Sequence, residues 1–84
     1  MKHAGADTIA RLTPLLEELR KRPALREKRP GIFYLKSRAF LHFHEDPTGI
    51  FADVRLEEDF TRLPSTQRAH WKALLKRIDE RLES

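Results

Sequence analysis

A chain of 84 residues is enough for one small domain, and a domain of this size buries too little surface to enclose a large substrate cavity. The absence of cysteine excludes disulfide bonds and thiolate metal sites. No apolar run is long enough for a membrane span, so we predict a cytoplasmic protein, and the net charge of +4 favours contact with polyanions. We expect residues 1–84 to form a single small domain in which residues 1–6 are frayed.

The first predicted helix is interrupted by a proline. Apolar residues recur at helical spacing up to Leu19, with Pro14 in their midst. Proline is compatible with the first turn of a helix but not with its interior. The main helix is therefore predicted over Pro14–Arg22 with Thr13 as its N-cap. Ile9–Leu12 is predicted to form either a preceding turn or a kinked extension of this helix.

The strongest pattern in the chain predicts a hairpin over Phe40–Leu56, with its turn at Asp46–Gly49. Because successive strand residues point to opposite faces, a turn centred on Pro47 and Thr48 gives the hairpin one wholly apolar face. The residues of this core face are Leu41, Phe43, Ala52, Val54 and Leu56. The opposite face, which we call the open face, carries aromatic, imidazole and charged groups. Its predicted residues are Tyr34, Phe40, His42, His44, Phe51, Asp53 and Arg55.

A third strand is predicted before the hairpin, over Gly31–Lys36. A three-residue loop at Lys36–Arg38 would pair Phe33 with Leu41 on the core face, and Tyr34 would then lie on the open face. A two-residue loop would instead place Tyr34 in the core. We favour the longer loop because it aligns the apolar residues of the two strands.

The last helix is predicted after Pro64, with Ser65 or Thr66 as its N-cap and with Phe60 and Leu63 anchoring the connection that precedes it. Its apolar stripe consists of Trp71, Leu74, Leu75, Ile78 and Leu82. The predicted fold is therefore α+β, a two-layer helix-strand-strand-strand-helix domain. It has a three-stranded antiparallel meander with both helices on one face.

Two histidines and an aspartate of the open face could hold a metal ion. His42 and His44 alternate along one strand and Asp53 lies opposite His42, and two imidazoles with a carboxylate suit zinc or iron. The alternative is that Asp53 simply pairs with His42 across the strands. An enzyme is the least favoured class, because no nucleophile stands in a recognisable context and no phosphate-binding glycine pattern is present.

The open face as a whole favours an interaction surface. Aromatic side chains interleaved with basic ones form a platform on which unpaired bases can stack. The alternatives are that a second copy of the chain covers this face, as a homodimer, or that the connection containing Phe60 covers it. The leading prediction is therefore a non-catalytic binding module without a cofactor, which uses the open face as a homodimer contact or a nucleic-acid platform. The alternative is a zinc-binding or iron-binding protein.

A run of basic residues before the first predicted strand could neutralise phosphates. A solvated, charged connector over Pro23–Pro30 is the commoner explanation of such a run. The predicted basic patch consists of Arg20, Lys21, Arg22, Arg26, Lys28 and Arg29.

The segments Arg29–Tyr34, Phe40–Asp46 and Phe51–Val54, together with Gly49, resemble a group of small bacterial proteins of unknown function that share this hairpin. That resemblance implies no activity. The order helix, meander, helix is also loosely similar to part of the MmcQ/YjbR-like proteins, which have been compared with DNA-binding folds. This second similarity implies nucleic-acid binding only by analogy of fold.

Overall fold

Six strands form one antiparallel sheet in the computed structural model, which describes residues 1–84. The strands are β1 (Lys2–His3), β2 (Leu25–Arg29), β3 (Ile32–Leu35), β4 (Arg38–Asp46), β5 (Gly49–Val54) and β6 (Thr61–Pro64). The helices are α1 (Ala6–Arg11), α2 (Thr13–Arg20) and α3 (Arg68–Glu83). The predicted α+β class is confirmed. None of the helices combines the length and the apolar character that crossing a membrane requires.

The sheet has more strands than the sequence predicts. Its order is β2-β3-β4-β5-β6, and β1 pairs with β4 outside that path. The predicted meander corresponds to β3, β4 and β5, so the prediction of three strands is wrong. Strand β2 lies in the predicted connector Pro23–Pro30, and β6 contains Leu63 of the predicted connection. Residues 1–6, which the sequence predicts to be frayed, include β1, and the Ala4 N–H donates to the Phe43 carbonyl over 3.1 Å.

Strand β2 is easily mistaken for a loop because it is rich in charged residues. Leu25 is buried, and Glu27 accepts hydrogen bonds of 2.6 and 3.0 Å from Arg20 of α2, so both face the helices. Arg26 and Arg29 pair with residues of β3, and a β-bulge between Glu27 and Arg29 shifts the register. Long charged side chains on an edge strand can reach water from either face of the sheet. The sequence of such a strand therefore does not show the alternation of apolar and polar residues that identifies a strand.

The core lies between one face of the sheet and the helices α2 and α3. Both helices pack on the face that carries Leu41 and Val54, as predicted. The predicted stripe of α3 lines this core, with Leu74 and Ile78 buried and its other members partly buried. The 14 buried apolar residues are Leu12, Leu15, Leu16, Leu19, Leu25, Phe33, Phe40, Leu41, Phe43, Ile50, Ala52, Val54, Leu74 and Ile78.

The first helical segment divides into two helices at Leu12. Helix α2 begins at Thr13, so the N-cap is Leu12 and not Thr13 as predicted. Pro14 therefore occupies the second helical position, where a missing N–H still breaks no intrahelical bond. The Thr13 hydroxyl donates to the Ala10 carbonyl over 2.7 Å instead of capping the helix. Helix α1 is thus a separate helix, and α2 ends two residues earlier than predicted.

The start of α3 uses a different cap from the one predicted. Gln67 is the N-cap and forms a capping box with His70, whose Nδ1 accepts the Gln67 N–H over 3.2 Å. The predicted caps have other partners. The Ser65 carbonyl accepts the indole N–H of α3 over 2.7 Å, and the Thr66 hydroxyl accepts a backbone N–H of β5 over 2.9 Å. Both residues therefore attach the connection to the sheet and to α3.

A β-bulge in β4 moves Phe40 into the core. Phe33 pairs with Leu41 as predicted, but its neighbour Tyr34 pairs with Ala39, which leaves Phe40 as the extra residue. The connecting loop accordingly contains two residues and not three. Such a bulge re-aims a side chain. The prediction that Phe40 lies on the open face is therefore wrong, since Phe40 is 1% exposed within the core.

An ion pair joins the two core helices at the end of α2. The Arg22 guanidinium donates to both oxygens of Asp79 on α3, over 2.7 and 2.8 Å. These hydrogen bonds hold the pKa of Asp79 below its usual value. The pair fixes where the C-terminal part of α3 lies against α2.

Asp79→Asn is expected to remove a small, pH-dependent contribution to stability. A lowered folded-state pKa means that the contribution is present above the ordinary pKa of aspartate and is lost as pH falls through the folded value. Because the Asp79 side chain is 44% exposed, we expect under about 1 kcal/mol at neutral pH. Urea titrations between neutral and acidic pH measure the difference from wild type. Glu80→Gln, which alters an exposed neighbour without an ion pair, should show no such trend.

Candidate metal centre

Three histidines from two strands meet on the open face of the sheet. His42 and His44 are alternate residues of β4, so their side chains leave the same face. His3 of β1 lies directly opposite His44 in the register of the two strands. The helices cover the other face of the sheet, so the three imidazoles, which we call the histidine cluster, stand on the uncovered side.

The three rings are close enough to share one ion. Ring centroids are 4.5 Å apart for His3 and His44, 4.9 Å for His42 and His44, and 5.8 Å for His3 and His42. One nitrogen from each ring can be chosen so that all three lie within 4.8 Å of one another. The Phe60 ring packs edge-on against His42 at 4.9 Å. His42 and His44 are partly buried and His3 is exposed, so the cluster opens to solvent on one side.

Asp53 stands behind the cluster and not within it. It pairs with His42 along the backbone as predicted, but its carboxylate lies 2.9 Å from Nδ1 of His44. That contact has the distance of an ion pair without hydrogen-bond geometry. Arg62 of β6 donates to both carboxylate oxygens, each over 2.7 Å, and Asp53 is only 6% exposed. The carboxylate is thus occupied by Arg62 and is positioned to orient His44.

The electrostatics favour a neutral imidazole at His42. Burial lowers the pKa of His42, the neighbouring His44 lowers it further, and Asp53 partly opposes both. His3 and Arg62 add smaller lowering contributions. Hydrogen bonds from Arg62 lower the pKa of Asp53 in spite of its burial. At neutral pH, the site therefore combines an ionised carboxylate with His42 in the neutral form, which is the form that binds metals.

Two buried nitrogens of the cluster have no hydrogen-bond partner. They are Nδ1 of His42 and Nδ1 of His44, and no other buried side-chain nitrogen or oxygen in the chain is left without one. A buried polar atom without a partner costs about 1–3 kcal/mol, so such atoms usually have a role. Nδ1 of His42 is therefore not used in the protein's own hydrogen bonds, whereas Nδ1 of His44 faces the Asp53 carboxylate.

The other predicted residues of the open face have mixed positions. Phe51 is partly buried beside His44, and Tyr34 follows the buried Phe33 and so points to the open face. Arg55 lies at the end of the sheet, where its guanidinium is 4.3 Å from the centroid of the Phe60 ring. With Phe40 in the core, Phe60 from the connection between β5 and β6 takes its place beside the histidines.

The residues of the predicted basic patch differ in whether a carboxylate neutralises them. Three of its cations are neutralised, and their pairs are Arg20–Glu27, Lys21–Glu18 and Arg22–Asp79. The other three, Arg26, Lys28 and Arg29, lie on β2 and are exposed. Only Arg26, Lys28 and Arg29 of the predicted patch are therefore without a carboxylate partner, and Arg20 lies beside Lys28 and Arg29 at one shallow depression.

Sequence reasoning missed two residues of this site, His3 and Arg62. His3 lies in a strand of two residues, which is too short to show any alternation. Arg62 lies in β6, where Leu63 between an arginine and a proline is the only strand signal. Phe60 lies beside His42, which agrees with the alternative that the connection before the last helix covers part of the open face.

The largest cavity lies elsewhere. Its volume is about 690 Å³, and it is bounded by the loop between β3 and β4 and by the last turn of α3, with Phe40 and Leu82 in its wall. Its lining contains four cations and two glutamates, Glu57 and Glu58. It contains no buried polar atom without a partner. The distinctive chemistry of the chain is therefore at the histidine cluster on the surface of the sheet.

Comparison with known proteins gives no relative from which a function could be taken. The sequence matches no protein-family model, and searches of curated proteins and of solved structures find no significant match. The function is therefore inferred from the site itself.

Proposed function

We propose that this protein binds a divalent transition-metal ion, zinc in the first place, through His3, His42 and His44. The observation that carries the proposal is the convergence of three imidazole nitrogens within 4.8 Å. Imidazole is a common ligand of zinc, copper, nickel and iron. The proposed ligand set replaces the Asp53 of the sequence-based alternative with His3, which β1 brings to the same face.

The position of Asp53 favours zinc over iron. The usual non-haem iron site needs a carboxylate as a direct ligand beside two histidines. Both oxygens of Asp53 already accept hydrogen bonds from Arg62, so the carboxylate would have to leave that pair to reach an ion. Zinc accepts three histidines with a water molecule in the fourth position. A carboxylate close behind a ligating imidazole is a common second layer of zinc sites, and Asp53 has that position behind His44.

The spacing of the donors is compatible with zinc after a small movement. Zinc–nitrogen bonds of about 2.0–2.1 Å in tetrahedral geometry place two ligand nitrogens about 3.4 Å apart. The three nitrogens lie within 4.8 Å of one another, so the rings need to close by about 1.4 Å at most. His3 is exposed on a short strand and can make most of this movement by side-chain rotation.

Calorimetric titration of untagged, metal-free protein with zinc tests the proposal. We expect one zinc ion per chain and loss of that binding in His42→Ala, because His42 supplies one of the three donors. Removing one imidazole leaves too few protein ligands for a stable zinc site. Elemental analysis of protein purified without chelator should give the same stoichiometry.

The fourth histidine of the chain supplies the matched control. His70 lies outside the cluster, and glutamine at its position preserves the capping box because glutamine also serves as its third-residue partner. His70→Gln should therefore bind zinc as wild type does. Equal zinc binding by wild type and His42→Ala, or no stoichiometric uptake by wild type, contradicts the proposal.

A further inference from the structure

The outward side of β2 carries only cations. Arg26, Lys28 and Arg29 are exposed, and none of them has a carboxylate within 4.0 Å. Glu27, the only acidic residue of the strand, is held on the helix side by Arg20. The acidic side chain of β2 thus faces the helices, and its exposed cations face away from them. Three cations that no carboxylate neutralises line one edge of the open face.

Apolar side chains lie directly beside these cations. Arg26 is opposite Tyr34 and Arg29 is opposite Ile32 in the register of β2 and β3. The Lys28 Nζ lies 4.2 Å from the centroid of the Tyr34 ring. Tyr34 and Ile32 are partly buried and therefore keep part of their surface exposed. We call this set of five residues the basic strip.

The acidic groups of the open face do not offset the basic strip. Asp53 is paired with Arg62, and Asp46 at the turn between β4 and β5 accepts hydrogen bonds from Thr48. Asp46 is on β4 and Asp53 is on β5, and strand β3 separates both from the cations of β2. A ligand that rests on the basic strip therefore meets positive charge and one aromatic ring, and the adjacent carboxylate of Glu27 is already paired with Arg20.

We propose that the basic strip binds single-stranded nucleic acid, with its phosphates on Arg26, Lys28 and Arg29 and with a base on Tyr34. Single strands offer the two chemistries that the strip complements, a regular row of anions and flat aromatic faces. The Lys28 ammonium group lies over the Tyr34 ring. If it moves to a phosphate of the bound strand, the ring becomes free to stack on a base. This site is separate from the metal proposal and does not require it.

The charge of the basic strip argues against a second copy of the chain as its occupant. A two-fold contact that places one open face on another would set cations of β2 near cations of the partner or bury them without partners. Like charges brought together in an interface cost several kcal/mol. The homodimer predicted from the sequence is therefore the less favoured occupant of this part of the face.

Fluorescence anisotropy with a labelled oligothymidylate of about 15 nucleotides tests the proposal, in buffer that contains a chelator. Three phosphate contacts predict a slope of about −2 for log affinity against log salt concentration. Affinity should thus fall about 20-fold between about 50 and about 200 mM salt. Because the chelator keeps the histidine cluster free of metal, binding under these conditions does not depend on the metal site.

Two sets of variants divide the electrostatic and stacking contributions. Replacing Arg26 and Lys28 together by glutamine should weaken binding and reduce the salt slope by about 1.4. Tyr34→Leu, which keeps an apolar side chain against the sheet, should weaken binding about 5-fold or more with an unchanged slope, because only the stacking surface is lost. Lys72→Gln, on the exposed side of α3, is the matched control and should leave affinity unchanged.

The outcomes separate the proposal from its competitors. Absence of binding at the lowest salt concentration overturns it, as does equal loss of affinity in Lys72→Gln and in the Arg26/Lys28 double variant. If a duplex of the same length binds as tightly as the single strand and Tyr34→Leu has no effect, the strip is a general polyanion surface and the proposed stacking is wrong. A dimeric mass that is lost in the double variant assigns the strip to a second copy of the chain instead.

Discussion

Phe40→Ala is expected to lower the free energy of unfolding by about 3–5 kcal/mol. The bulge in β4 places the Phe40 ring in the core, where it is 1% exposed, and alanine leaves a cavity between the sheet and α3. A domain of this length has a total stability of roughly 4–13 kcal/mol. The variant should therefore be mostly unfolded or much less stable. Urea unfolding followed by circular dichroism measures the loss.

Phe51→Ala is the matched control for this prediction. Phe51 belongs to the same hairpin and has the same side chain, but it is only partly buried on the open face. Its truncation should cost clearly less than that of Phe40, because less apolar area leaves water when it folds. A loss of under about 1 kcal/mol for Phe40→Ala would contradict the core position and would favour the open-face position that alternation predicts.

The hairpin of β4 and β5 could be predicted from the sequence because its information is local. The turn at Asp46–Gly49 fixes the register, and the pairs His42–Asp53 and His44–Phe51 follow from counting outward. The apolar face of that hairpin is also confirmed, since Leu41 and Val54 are fully buried. A strong turn next to alternating residues therefore specifies both faces without knowledge of the rest of the chain.

The bulge at Phe40 could not be predicted, because two different structures satisfy the same pairing of Phe33 with Leu41. One structure has a three-residue loop and a regular register. The other has a two-residue loop and one extra residue in β4, and both pair Phe33 with Leu41. They differ in where Phe40 points. Tyr34 lies on the open face with either loop. Its position therefore does not depend on the three-residue loop that the sequence predicts.

The candidate metal centre shows a similar limit for contacts that depend on short strands. His42 and His44 are recognisable because they lie two residues apart on one strand. His3 joins them only through β1, and Arg62 reaches Asp53 only through β6. Both strands are short and follow no clear alternation. The sequence therefore predicts the donors that lie on one element, whereas the third donor and the group that occupies Asp53 depend on the folded sheet.

Zinc is expected to raise the melting temperature of the metal-free protein by about 10–20 °C when its free concentration is about 100 times its dissociation constant. A ligand that binds only the folded state stabilises it by about 2.7 kcal/mol at that excess. Folding is what brings His3 to the pair His42 and His44, since His3 is far from both in the chain. The unfolded chain therefore retains only a two-histidine segment, which binds zinc much more weakly.

Scanning calorimetry at fixed zinc concentration, with and without chelator, measures this shift. His3→Ala should lose most of the shift while its metal-free melting temperature changes little, because His3 is exposed on a strand of two residues. His70→Gln should keep the shift. Protons compete with the metal for the imidazole nitrogens, so the shift should be full near about pH 7.5 and should disappear near about pH 5. If the shift persists in His3→Ala, β1 contributes no ligand and the metal site is confined to β4.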